Sequence, residues 1–315
     1  MTTVGASDPS HGVGGPRVIV VGDVVTDVLA QLAEPIATGS DASATIRSAG
    51  GGAAANVAAW LAVAGADPVL VARVGNDEAG EARRRSLEQL GVTCAFATDP
   101  DHPTGTIVVL VEPGGERSML ADRGANLHLA PADVGSADIA SAAHLHLSGY
   151  ALLAEGPRAA GLAALREARD AGVPTSVDPA SATPLRHLGP GRFLDWTEGC
   201  DLCLPNLDEL EALSGTRDPV DGARALTEVY RQVVVTLGGG GAHWTDGQRS
   251  RRIEAQPSEA VDTTGAGDAF AAGLIAARLS GRPDDPGDDG LDAAVRLAAR
   301  AVSRPGAQPP GRRGP

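Results

Sequence analysis

From about residue 144 onward the chain alternates short apolar runs with segments of helical spacing, and this alternation constrains its fold most tightly. Residues 144–147, 174–177, 201–204 and 232–237 read as strands, with helices at 157–171, 207–214 and 223–230. Parallel strands need crossovers, and helical crossovers cover both faces of the sheet they join. Nearer the N-terminus, 17–22 is an apolar run ended by Gly22, which reads as another buried strand. Residues 56–64 are Ala-rich with helical spacing, 68–72 are strand-like, and 77–90 form a charged-face helix stopped by Gly91. Residues 92–97, 104–111 and 117–120 read as strands, with a turn over 113–116. Few helices separate these segments, so a small sheet apart from the main one is expected. Helices at 266–279 and 291–302 close the chain around an acidic Gly/Pro loop, 281–290, whose stretch 284–289 is expected to be a solvated turn. The expected fold class is α/β, a doubly wound, mostly parallel sheet flanked by helices, with a small β insertion. Residues 1–16 and 309–315 are expected to be disordered.

Composition narrows the function. The 315 residues carry a formal net charge of −14, and the basic residues do not cluster, which argues against a nucleic-acid binder. No apolar run approaches the roughly 18 residues that span a bilayer. The N-terminal stretch lacks the charged start and apolar core of a secretory signal. Three cysteines, Cys94, Cys200 and Cys203, make no disulfide framework, so a reducing, cytoplasmic setting is expected. All 26 basic residues are arginine. Schiff-base chemistry and the lysine of a P-loop are therefore excluded.

Four segments could carry chemistry. In Asp262-Thr263-Thr264-Gly265-Ala266-Gly267-Asp268, the amides of Gly265, Ala266 and Gly267 would converge at a helix N-terminus, a natural anion site. Asp268 beside that site could take a proton from an attacking hydroxyl; an ordinary glycine-rich cap would read the same way. Gly50-Gly51-Gly52, followed by Asn56, would let a polyol lie on bare backbone, or would simply lead into an Ala-rich helix. Asn206 and Glu209 share a helix face and could hold a hydrated Mg²⁺ through water, or form a capping box that needs no metal. Thr236-Leu237-Gly238 at a strand end suits a phosphate or flat ring, or a plain turn.

In this order and spacing the four segments resemble the ribokinase-like (PfkB) carbohydrate kinases, over about residues 17–308. The resemblance implies a kinase domain over that span with a β lid drawn from about 28–48 and 94–122, ATP and Mg²⁺ as cofactors, and a homodimer. It casts Asp268 as general base and Gly265, Ala266 and Gly267 as the anion hole for the γ-phosphoryl group. Asn206 and Glu209 match the pair that organises Mg²⁺ and phosphate, and Thr236 and Gly238 match nucleotide contacts. Asp27 matches the substrate-hydroxyl aspartate, with Gly51, Gly52 and Asn56 as the second sugar loop. Asp262 and residues 301–308 resemble the monovalent-cation (K⁺) loop of the ribokinase branch. The implied activity is ATP-dependent phosphorylation of a small sugar or sugar derivative. A nucleoside kinase of the same fold and a non-catalytic sugar sensor are the alternatives.

The chain departs from ribokinases themselves at Val25, at Ala53-Ala54-Ala55 and at Leu147-Ser148-Gly149-Tyr150, so the acceptor is not expected to be set by ribose-specific contacts. Arg123 reads as a solvated lid arginine or a contact for an acidic substrate. Cys200 and Cys203 read as core, and His144 and His146 as one face of a strand.

Overall fold

The computed structural model describes residues 14–36, 39–114, 116–281 and 285–311. In chain order the strands are β1 (Arg17–Val21), β2 (Val25–Leu32), β3 (Ala44–Gly51), β4 (Asp67–Gly75), β5 (Thr93–Asp99), β6 (Thr104–Val111) and β7 (Arg117–Gly124). They continue as β8 (His144–Ser148), β9 (Thr175–Asp178), β10 (Leu202–Cys203), β11 (Gln232–Thr236), β12 (Ala242–Thr245) and β13 (Ser250–Ile253). The helices are α1 (Ala53–Val63), α2 (Glu78–Leu90), α3 (Pro131–Val134), α4 (Tyr150–Leu153), α5 (Glu155–Ala171) and α6 (Ala182–Leu188). After them come α7 (Pro190–Thr197), α8 (Leu207–Ser214), α9 (Pro219–Leu226), α10 (Ala266–Ser280) and α11 (Gly287–Val302).

Nine strands form the body sheet in the order β13-β12-β11-β10-β9-β8-β1-β4-β5, parallel from β11 to β5 with an antiparallel hairpin at one edge. Strand β1 sits inside it, and its alternation feeds two cores. Val18 and Val20 join the cluster under α1 and α10, while Ile19 and Val21 join the cluster under α5. Full burial of each such side chain is worth about 1.5–3 kcal/mol. Helix α2 shows how local chemistry sets the boundaries: the Asp77 carboxylate accepts from the Gly80 amide at 2.8 Å, and Gly91 ends the helix at φ 94°.

The second sheet runs β3-β2-β6-β7, the separate small sheet expected as the lid. Strands β2 and β3 and the hairpin β12–β13 carried too little period-2 patterning to be read from the sequence. Strand β5 was expected in the small sheet, but it pairs parallel with β4 and forms an edge of the body. Its Cys94 and Phe96 pack against the body core that Leu87 and Leu90 of α2 join.

Both expected disordered ends need correction where they are described. The Pro16 carbonyl accepts from the Asp67 amide at 3.0 Å, and Pro309 is buried. Residues 1–13 and 312–315 lie outside the described residues. The 284–289 stretch is not simply solvated either. Asp285 pairs with Arg249 and Arg251, and α11 begins at Gly287, although Asp284 is outside the described residues. Among the described residues no helix is long and apolar enough to cross a membrane.

Candidate active site

Ligands of open α/β sheets bind where parallel strands end. Here Asp23 follows β1, Gly149 follows β8, Asp178 ends β9, Asn206 follows β10 and Thr236 ends β11. Helix α10 points its N-terminus into the same place. Gly265 caps it at φ 77°, and a Cβ there would lie 2.7 Å from Ala307, so only glycine fits. The Ala266 amide donates to the Thr263 carbonyl at 3.3 Å, closing the turn before the helix. That contact occupies one of the three expected anion-hole donors. The amides of Gly265 and Gly267 have no such carbonyl partner among the described residues.

Asp268 lies in the first turn of α10 and accepts from Asn56 Nδ2 at 2.8 Å through its Oδ2. Burial pushes its carboxyl well above the ordinary range, and the nearby Asp178 carboxylate adds to this; the Asn56 donor opposes both. Asn56 holds this position because α1 begins at Ala53, earlier than expected, which places Asn56 in its buried first turns.

Asp268, Asp178, Asn206, Glu209 and Gly267 line a cavity of about 160 Å³. It opens onto a second cavity of about 720 Å³, floored by Thr236, Gly238 and Gly239 and walled by Val295, Ala298 and Val302. Asn206, Thr236, Ala266 and Gly267 border both. The larger volume suits a nucleotide-sized ligand. A Cβ on Gly238, Gly239 or Gly267 would meet nothing within 4 Å, so these glycines leave the space open.

Asn206 and Glu209 form the capping box. Asn206 Oδ1 accepts from the Asp208 and Glu209 amides, while Glu209 accepts from the Asn206 amide at 2.9 Å and from Asn206 Nδ2 at 2.7 Å. Burial raises both the Glu209 carboxyl and the half-buried Asp178 carboxyl, and Asp178 also raises Glu209. Oxygen donors crowded in this way fit a divalent cation, whose charge would relieve the repulsion.

Sequence reasoning did not find Asp178. It is held by the Ala180 amide at 2.7 Å, and Ala180 takes φ 73°, a left-handed conformation that costs about 1–3 kcal/mol in a non-glycine residue. Its only sequence signal was its place at the end of a predicted strand.

On the lid side Gly51 presses against the Asp27 carboxylate, where any Cβ would overlap it. Burial raises Asp27 to about 6, with Asp23 and Asp262 adding and Arg83 opposing. Gly52 caps α1 at φ 100°, and its absent Cβ would lie 2.5 Å from the Asp23 carbonyl, so it packs backbone on backbone.

Arg123 is not a solvated lid arginine. Its guanidinium lies 3.9 Å from the centroid of the Tyr150 ring and 3.8 Å from Asp23. Asp262 is fully engaged: it accepts from the Thr264 amide and hydroxyl and from the Gly306 amide, and pairs with lid Arg117 at 3.2 Å. Oδ1 takes the Thr264 and Arg117 contacts, and Oδ2 takes the Gly306 amide. Cys200 and Cys203 are buried, and His144 and His146 share the Ser176 hydroxyl in the core, away from these cavities.

A doubly wound body, a β lid, an amide-rich helix N-terminus with an aspartate in its first turn, and an adjoining nucleotide-sized cavity define a phosphotransferase of the sugar-kinase class. The chain belongs to the pfkB family of carbohydrate kinases, whose profile matches residues 16–312. It is 32% identical over 288 residues to a fructokinase of Klebsiella pneumoniae, covering 85% of this chain and 87% of that protein. It is 33% identical over 294 residues to an ATP-dependent ribose-1-phosphate kinase of Halopiger xanaduensis, covering 93% and 94%. The crystal structure of adenosine kinase from Sinorhizobium meliloti superposes with a TM-score of 0.82 at 26% identity, covering 93% and 96% of the two chains.

Proposed function

We propose that this kinase moves the γ-phosphoryl group of ATP to a hydroxyl of a small sugar or sugar derivative. The observation that carries this is Asp268, held by Asn56 in the cavity where the free amides of Gly265 and Gly267 meet the acceptor side. The nucleotide lies in the larger cavity over Thr236 and Gly238, its γ-phosphoryl group at the N-terminus of α10. Asp27 and Asn56, with Gly51 bare between the lid and the body, receive the acceptor.

Asp268 takes the acceptor proton as the hydroxyl oxygen forms its bond to phosphorus and the bond to the β-phosphate oxygen breaks, releasing ADP. The Gly265 and Gly267 amides stabilise the charge on the transferring group. Bound Mg²⁺ would neutralise phosphate charge, and Asn206, Asp178 and, through water, Glu209 would hold it. No step is routed through K⁺.

A nucleoside acceptor is the second reading, favoured by the likeness to adenosine kinase. A homodimer through the lid completes the proposal, because that sheet leaves Ile46, Met119 and Leu120 exposed.

The test is coupled ADP release with Mg-ATP across ribose, fructose, 2-keto-3-deoxygluconate, common hexoses and nucleosides, with Asp268→Asn as control. One acceptor turned over by the wild type and lost in the variant supports the reading. Nucleosides alone would favour the second, and no acceptor at all would overturn both.

A further inference from the structure

Helix α2 carries three consecutive arginines, and the structure accounts readily for two of them. Arg84 Nη1 donates to the Cys94 carbonyl at 3.1 Å and its guanidinium lies over the Phe96 ring; Arg85 pairs with Glu81 on the exposed side. Arg83 is different. It stands three residues after Gly80 and four before Leu87, both buried, and so lies on the helix face turned toward the protein. Its Nε is buried without a hydrogen-bond partner, and the side chain makes no ion pair within 4.0 Å among the described residues. Sequestering a guanidinium in this way is costly unless a nearby charge compensates it.

The compensation comes from the acceptor side of the site. Arg83 Nη1 lies 3.1 Å from where a Cβ on Gly50 would be, with Gln308 Oε1 at 2.5 Å from the same point. Gly50 is bare because an arginine and a glutamine fill its side-chain space. Its neighbour Gly51 is bare because the Asp27 carboxylate fills the other. The two glycines thus separate a cation from a carboxylate by the thickness of one strand. Asp27 and Arg83 act on each other electrostatically, and the remaining charges acting on Asp27, Asp23 after β1 and Asp262 before α10, are both negative.

We propose that Arg83 is a positioning residue for the acceptor: from α2 it supplies the counter-charge for Asp27 and seats the Gly50–Gly51 ribbon that Asp27 packs against. The inference rests on Asp27 being the acceptor-binding carboxylate. An ionised Asp27 accepts hydrogen bonds from acceptor hydroxyls, whereas a protonated one offers less and competes as a donor. Without Arg83, burial and two neighbouring carboxylates act on Asp27 unopposed, and its proton is held to higher pH.

The experiment compares wild type, Arg83→Met and Arg83→Lys, with D-fructose and D-ribose as acceptors, measuring the KM for acceptor and for ATP from pH 5.5 to 9. Arg83→Met should raise the acceptor KM by about 8-fold at pH 5.5 and about twofold at pH 7, the ratios given by roughly one unit of upward displacement from about 6. The ATP KM should stay within about twofold, and the defect should shrink toward pH 9 as Asp27 ionises. Arg83→Lys should recover most of the loss, because it restores the charge; melting temperatures establish that both variants are folded. An acceptor defect independent of pH, an equal rise in the ATP KM, or an unchanged acceptor KM would overturn the inference while leaving the kinase reading intact. Failure of the wild type to phosphorylate any sugar or nucleoside would overturn the kinase reading itself and this inference with it.

Discussion

The Trp60 indole Nε1 donates to the Ala307 carbonyl at 2.8 Å, and Ala307 is the residue that packs against Gly265. A fully buried ring on α1 therefore fixes the C-terminal segment that backs the helix cap of the site. Trp60→Phe removes the donor and leaves a buried carbonyl unpaired, a loss of about 1–3 kcal/mol. Thermal unfolding should show the lower stability. Turnover should fall with it, because the Gly265 turn loses its support.

Asp268→Asn keeps the shape of the site and the Asn56 contact side but removes the base. The expected outcome is a fall in kcat of about 10²–10⁴ with ATP binding retained, read by ADP release and by nucleotide titration. An active variant would mean the proton leaves by another route.

Asn56→Ala removes the donor to Asp268 Oδ2, the interaction that opposes its upward shift. Asp268 should then hold its proton to higher pH. The acidic limb of the kcat profile should move upward, with a larger loss of rate at pH 6 than at pH 9.

Gly265 and Gly267, two residues apart at the start of α10, should behave oppositely. Gly267→Val places its side chain in open cavity space, so the protein should fold normally while the ATP KM rises at least about 10-fold. Gly265→Ala should instead lower the melting temperature, since a left-handed non-glycine residue costs about 1–2 kcal/mol before the overlap with Ala307 is counted.

Acceptor binding should weaken as pH falls through about 6, where Asp27 takes up its proton. The sign for stability is the reverse. Folded Asp27 binds a proton more tightly than the unfolded chain, so its contribution favours the folded state at low pH and is lost as pH rises from about 4 to 6. Acceptor kcat/KM and urea unfolding over that range would separate the two effects.

The body was legible where burial on both faces writes continuous apolar runs, as in residues 18–21, and where caps are spelled by side chains, as at Asp77 and Gly91. The loop from Asp262 to Asp268 was legible for the same local reason: its glycines and its aspartate act within a few residues of one another. Strands β2 and β3 were not, because a lid sheet exposed on one side needs no strong pattern, and β3 is exposed over most of its length.

What the sequence determined alone was a lysine-free α/β chain with a glycine-rich helix N-terminus and an aspartate in its first turn. Only the tertiary structure decided which groups share a site. Asn56 and Asp268 are 212 residues apart, and Asp178, Arg83 and Trp60 bear no local motif at all. Their roles follow from the field and contacts of residues distant in the chain, and such through-space terms leave no periodicity or spacing to read.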